Sequence, residues 1–346
     1  MGQARTRQAE PVGAKADAPR DRTELVLTAA CALLGLLSVT ALLAWVFRLG
    51  SFRTWFLVVS VPAMALLAGV GGVLGRTGRY PRLRSALVTG VIGGVIGTLG
   101  YDLVRVPLVA VGMRLFAPID SYGVLIAGAD SSSNLTGFLG WSYHFANGIG
   151  FGIFYAALAL GRRWWWALPW AMLLETATVV TPYADIYQLS GEWSLIAIAY
   201  GAHVAYGVPL GKIVERGGRI RSLQGSATAR PAPWVLTALL LFLLLWHLPF
   251  VVPEQARAAR EVAPGPSALI VEGRFIPEWL RLGVGSCASI RNEDAVSYSV
   301  RSVGARARIA STSDGTICFE QAGIHRVRTS ERPYSGGFVI VDPALR

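Results

Sequence analysis

Hydrophobic positions in this chain gather into long unbroken runs before they give way, near the C-terminus, to short ones. Seven runs lie at 23–47, 54–75, 86–113, 137–160, 164–182, 193–213 and 233–252. Each is close to the length that a helix needs to cross the hydrocarbon layer of a membrane. They predict an α-helical polytopic membrane bundle over residues 23–253, preceded by a polar, Pro- and Ala-rich disordered tail at 1–22. The first run is too long for a signal-peptide core and lacks a cleavage site, so it reads as a retained helix. Residues 254–266 read as a linker. From 267 to 346 the apolar runs shrink to a few residues: 268–272, 286–292, 297–302, 316–319, 324–329 and 338–341. Turn residues separate them, which predicts a small all-β sandwich.

Composition supports the membrane reading, because 346 residues with 53% hydrophobic and only 15% charged are too apolar for an ordinary soluble chain. A net charge of +11 would by itself point to nucleic acid. Its distribution does not. Sixteen of the 32 basic residues sit in the tail (Arg5, Arg7, Lys15, Arg20, Arg22) and in three alternate loops, around Arg76–Arg84, Arg162–Arg163 and Lys212–Arg230. The other loops hold only Arg48, Arg53 and Arg114, and they carry Asp120, Asp130, Asp185 and Glu192. This asymmetry predicts a cytoplasmic N-terminus and an extracytoplasmic C-terminal domain in a cell-membrane protein. The expected partners are the lipid bilayer and another membrane or extracytoplasmic protein, with no nucleic acid.

Against that apolar background the polar positions stand out. Residues four apart share a helix face, so Gly140, His144, Gly148, Gly152 and Ala156 form one stripe of small residues broken by a histidine. Such stripes let helices approach closely in a bilayer, which turns His144 into the bundle, with Asn147 nearly on the same face. The grammar recurs at His203, Gly207 and Gly211, where His-Val-Ala-Tyr-Gly-Val matches His-Phe-Ala-Asn-Gly-Ile. The third run carries Gly90, Gly94, Thr98 and Asp102 with Arg105 nearly a turn beyond, and the fifth carries Glu175 and Thr178. The predicted topology puts Asp102, Arg105, His144, Asn147, Glu175 and His203 in the outer half of the membrane, where ionisable groups face a partner, a cavity or a pathway. Neutral imidazoles suit haem iron, copper and zinc alike, so His144 and His203 are candidate metal or haem ligands as well as proton carriers. The plain alternative is structural. Asp102 and Arg105 neutralise each other, and each histidine bonds a nearby Tyr or Asn. His247, beside Trp246, reads as interfacial, and Asn134-Leu-Thr136 is a three-residue sequon of little weight.

The C-terminal segment resembles a cupredoxin, the blue-copper fold. The resemblance rests on Phe275-Ile-Pro277, Leu282-Gly-Val-Gly285, Ile290-Arg-Asn292-Glu-Asp294-Ala-Val-Ser-Tyr298 and Phe319-Glu-Gln-Ala-Gly323 through Gly337-Phe-Val-Ile-Val341. It implies that the copper-ligand positions are Tyr298, Thr329, Arg332 and Ser335. All four are changed, which argues against blue copper, and His325 lies two strand alternations away and does not replace a ligand. Such a sandwich would set Cys287 and Cys318 on neighbouring strands, as a disulfide or, alternatively, a dithiol metal site. Cys31 reads as packing. The membrane part is similar to small uncharacterised prokaryotic multi-pass families, which adds architecture and no chemistry.

Two functions follow. One is a membrane protein with a polar His/Glu/Asp site that binds or passes a metal, haem or proton, capped by the β domain. The other is a non-catalytic membrane-anchored assembly or scaffold protein whose β domain binds a partner. The short His-Gly-Gly repeat leaves a transporter in view. No Ser-His-Asp arrangement, HExxH, Walker loop or pair of catalytic carboxylates points to an enzyme.

Overall fold

The computed structural model describes residues 22–110, 119–181, 193–220, 267–332 and 336–342. The seventh run at 233–252 with His247, the linker, the tail before Arg22, and Arg114, Asp185, Glu192 and Ser335 lie outside the described residues. Helices α1 (Arg22–Leu36) and α2 (Thr40–Val46) are joined by one 3-10 turn and run as a single rod. The next rod is α3 (Phe52–Trp55), a π-helical turn at Phe56–Ser60, and α4 (Val61–Thr77). Then come α5 (Pro81–Ala110), α6 (Ile119–Ala127), α7 (Asn134–Ala159), α8 (Ala167–Val179) and α9 (Trp193–Ile220).

Among the described residues, four helical segments are long and apolar enough to cross a membrane: Arg22–Val46, Phe52–Thr77, Pro81–Pro107 and Trp193–Gly218. The runs at 137–160 and 164–182 are not among these four, for two different reasons. α7 has the length, 26 residues, but carries His, Asn, Ser and five glycines. It packs against α5, α6 and α1. A helix enclosed by protein does not need a lipid-compatible surface. α8 is apolar but only 13 residues long. Between the third and fourth apolar runs, nine residues form α6, six of them buried, and α6 packs against α7. Its apolar stretch is too short to register as a span.

The C-terminal part is a nine-stranded sandwich: β1 (Ser267–Val271), β2 (Arg274–Ile276), β3 (Trp279–Gly283), β4 (Cys287–Asn292), β5 (Tyr298–Ser302), β6 (Ala305–Ile309), β7 (Asp314–Cys318), β8 (Gly323–Thr329) and β9 (Gly336–Asp342). One sheet has the order β2-β1-β4-β7 and the other β3-β9-β8-β5-β6. Strand alternation sends Ile290, Tyr298, Val300, Ile309, Val327 and Val341 into the core between the sheets. Cys287 and Cys318 are register partners on β4 and β7 and form a disulfide.

The two parts share a hydrophobic cluster that brings Trp45, Val46 and Phe52 together with Ile324, Phe338 and Ile340. The outer face of the five-stranded sheet therefore sits on the end of the bundle where α2 ends and α3 begins. Residues 130–132 also pair with β8 like a short extra strand. Ser132 N donates to Ile324 O at 2.8 Å, and Arg326 N donates to Asp130 O at 2.8 Å.

Candidate functional site

Close helix approach creates the site. A Cβ on Gly94 would lie 2.5 Å from Gly148 O, and one on Gly152 would lie 2.3 Å from Gly90 O. Only glycine permits α5 and α7 to meet at this spacing. Farther along the same antiparallel contact, His144 Nε2 lies 3.1 Å from both carboxylate oxygens of Asp102. The carboxylate is 4% exposed and the imidazole 19%. A carboxylate only accepts, so Nε2 carries the hydrogen in this arrangement.

The second hairpin repeats the plan. A Cβ on Gly211 would lie 2.0 Å from Trp164 O and one on Gly207 3.0 Å from Ala167 O, so α9 packs on α8. His203 Nδ1 then lies 3.0 Å from Glu175 Oε2, with 16% and 3% of the two side chains exposed. The same nitrogen is 3.0 Å from Ala199 O, one turn back. Both neighbours are acceptors, so Nδ1 carries the hydrogen. Glu175 Oε1 is buried with no hydrogen-bond partner among the described residues.

The partner helices correspond position by position. Gly94, Thr98 and Asp102 on α5 match Ala167, Ala171 and Glu175 on α8, each set four residues apart. His144, Gly148 and Gly152 on α7 match His203, Gly207 and Gly211 on α9. Both histidines sit ten residues into their helices, about 15 Å from the helix start at 1.5 Å per residue. The hairpins pack on each other along α5 and α9, where a Cβ on Gly100 would lie 2.4 Å from Ala205 O, and two further contacts lie close to the histidines. The Tyr101 ring meets the His144 ring at 6.1 Å and the His203 ring at 5.1 Å between centroids. Tyr206 donates its hydroxyl to Gly148 O at 2.9 Å. Thr178 turns its hydroxyl back onto Leu174 O and joins neither pair.

The remaining sequence candidates fall outside these pairs. Asp102 engages His144, and the buried Arg105 acts electrostatically on Asp120 and Tyr101. Asn147 hydrogen-bonds Tyr143 one turn away, and its Oδ1 is buried without a partner among the described residues. Tyr143 hydroxyl accepts the Leu42 amide hydrogen, which ties this face of α7 to α2 rather than to the histidines. Among the described residues no three His, Cys, Asp or Glu side chains come together to hold a metal ion.

In the β unit, Tyr298 is fully buried and donates its hydroxyl to Asp294 Oδ2 at 2.7 Å. Thr329 donates to Arg332 O at 3.1 Å. These side chains close bonds within the sandwich and present no soft ligand set for copper. His325 Nε2 lies 2.7 Å from Gln321 O, a local bond within the same turn and strand.

Sequence reasoning missed the docking contacts. Glu278 accepts from Trp45 Nε1 at 3.3 Å and from Arg274 Nε at 3.1 Å, while Arg274 also donates to Val46 O at 3.1 Å. Burial pushes the Glu278 carboxyl up to about 7, with the Arg274 charge opposing the shift. The Arg326 guanidinium lies 5.8 Å over the Trp45 ring, and its burial lowers it to about 10. The only signal for this interface was an excess of polar and aromatic residues at the ends of two apolar runs.

No family model matches this chain, and no curated protein matches it. Solved structures of amicyanin do. The Cu(I) form of one amicyanin mutant is 22% identical, with a TM-score of 0.21, over 24% of this chain and 89% of that chain. The reduced state of another mutant gives a TM-score of 0.22 at the same identity and coverage. The likeness is weak and restricted to that quarter of the chain.

Proposed function

We propose that this is a multi-pass membrane protein that binds and passes protons at two carboxylate–imidazole pairs, Asp102–His144 and Glu175–His203, under a docked extracytoplasmic β unit. One observation carries the reading: two hairpins of matching construction each bury a carboxylate against a histidine at the same depth. Each buried carboxylate has a histidine as its charge partner. A neutral imidazole leaves a net negative charge at low dielectric, whereas an imidazolium leaves a neutral pair. Each pair is therefore a unit that takes up one proton. Tyr101, in ring contact with both imidazoles, bridges the two units. The donor set favours this over a single metal held by His144 and His203, since no third ligand accompanies them among the described residues. The orientation follows from the arginine asymmetry, with the β unit on the side of loops 47–51 and 128–133.

The test measures proton uptake by the full chain in mild detergent, using pH-dependent infrared difference spectra of the imidazole bands. Wild type should lose one imidazolium signal with His144→Ala and another with His203→Ala. In vesicles carrying an internal pH dye, Asp102→Asn and Glu175→Gln should slow dissipation of an imposed proton gradient. A stoichiometric metal or a haem absorption band in purified wild type, lost from both histidine variants, would replace the proton reading with ligation.

A further inference from the structure

The face of the five-stranded sheet that rests on the bundle does not end where the bundle ends. Its β8 and β9 positions, Ile324, Phe338 and Ile340, are buried against the helix ends. Moving outward across the same face, register pairing sets Arg328 of β8 beside Arg301 of β5, and Arg301 beside Arg306 of β6. Arg308 follows two residues along β6 and therefore shares this face. The opposite face of these strands, through Val300, Ile309 and Val327, is sandwich core, so the arginines cannot turn inward. Arg301, Arg306 and Arg308 are exposed. Arg328 pairs with Asp130 of the docking loop, whereas Arg301 donates to the uncharged Ser330 Oγ at 2.5 Å. Among the described residues, Arg301, Arg306 and Arg308 form no ion pair. The nearby carboxylate, Glu331, is taken up by the Ser299 amide at 2.9 Å and 3.0 Å.

The direction of this face decides its partner. Helix ends and loops of the bundle meet the β8–β9 side of the sheet, so the sheet lies across the end of the bundle. β5 and β6 extend about 5 and 10 Å beyond β8 at the usual strand spacing. With the helices across a membrane, this outer part of the face would be turned toward the headgroup layer around them. Like charges laid side by side across three strands oppose one another, and a layer of phosphates relieves that repulsion.

We propose that Arg301, Arg306 and Arg308 form a lipid-contact surface that holds the β unit flat on the membrane through anionic phospholipid headgroups. The proposal rests on the helices spanning the membrane. It does not depend on the proton chemistry, nor on which leaflet carries the β unit. Basic residues near an anionic surface each gain about fivefold in partition, an effect that falls with salt.

The experiment uses the full chain with a single fluorophore at Val303→Cys, in the exposed turn between β5 and β6; Cys31 is buried and the other cysteines are paired. Nanodiscs are made of phosphatidylglycerol or of phosphatidylcholine, each with a nitroxide on the headgroup. Quenching should be strong in phosphatidylglycerol, weak in phosphatidylcholine and weakened by salt. The triple replacement Arg301→Gln, Arg306→Gln and Arg308→Gln should abolish the difference between lipids, and the corresponding triple lysine variant should retain it. Quenching that ignores lipid charge, or that survives the glutamine variant, overturns the proposal. An unquenched label in both lipids does so too, and would leave these arginines to an acidic protein.

Discussion

The α5–α7 hairpin closes over Asp102 and His144 with glycine on both helices, whereas the α8–α9 hairpin closes over Glu175 and His203 with alanine on one side. In the first, both carboxylate oxygens lie at 3.1 Å from one imidazole nitrogen. In the second, one carboxylate oxygen is bonded and the other is buried without a partner among the described residues. The first pair is closed, and the second retains an acceptor that a proton or a donor can engage. Their attachments differ as well. The loop entering α7 is hydrogen-bonded to β8 through Asp130 and Ser132, whereas α9 meets the same cluster through side-chain packing at Ala199. The same local grammar thus yields one braced unit and one freer unit.

The largest expected effect separates the two histidines. Removing one partner of a buried ion pair costs about 3–5 kcal/mol. His144→Ala should fall in that range, because both Asp102 oxygens lose their donor. His203→Ala should cost less, since Glu175 already carries an unbonded oxygen. Unfolding in mild detergent reads both, and equal losses would erase the proposed distinction.

Next comes the pH dependence of docking. The Glu278 carboxyl titrates near 7 in the docked state against an ordinary value of 4.5. Above about 7 both docked and released forms are ionised, and the cost of burying the charge is fully present. As pH falls from 7 toward 4.5 the docked form takes up the proton first, so acidification strengthens docking, by about 2–3 kcal/mol at most. Wild type should gain thermal stability between pH 7.5 and pH 5, roughly the window set by that shift, while Glu278→Gln stays flat through it. A wild-type curve that falls on acidification would contradict the sign.

Smaller changes test how tightly each hairpin is closed. Gly94→Ala forces a methyl against Gly148 O and should cost about 1–3 kcal/mol. The equivalent position of the second hairpin is already Ala167, and Ala167→Gly should cost about 1 kcal/mol or less. The mildest perturbation is Ser133→Ala. Ser133 Oγ accepts from Thr136 N at 3.3 Å, and the Ser133 amide donates to Thr136 Oγ1 at 2.7 Å in return. Its loss should lower stability by about 1 kcal/mol, and it should also loosen the docking loop, visible as faster hydrogen exchange at Ser132.

Much of this arrangement was written in one dimension. Four segments long and apolar enough to cross a membrane follow from apolar length alone, because a lipid-facing helix has no other way to satisfy its surface. The pairing of small residues and histidine at intervals of four was equally legible, since helical periodicity projects those positions onto one face whatever surrounds them. The β runs and their alternation likewise set which side of each strand faces the sandwich core. Other features came from packing between segments distant in sequence. Asp102 reaching His144, and Glu175 reaching His203, depend on how far two helices interpenetrate, which contact between small residues decides. The buried α6 is too short to be seen by hydropathy, and α7, legible as an apolar run, owes its polar positions to enclosure by protein in place of lipid. The docking of the sheet through Glu278, Arg326 and residues 130–132 joins parts of the chain up to 233 residues apart. No local pattern encodes such a contact, because its free energy appears only once both surfaces have formed.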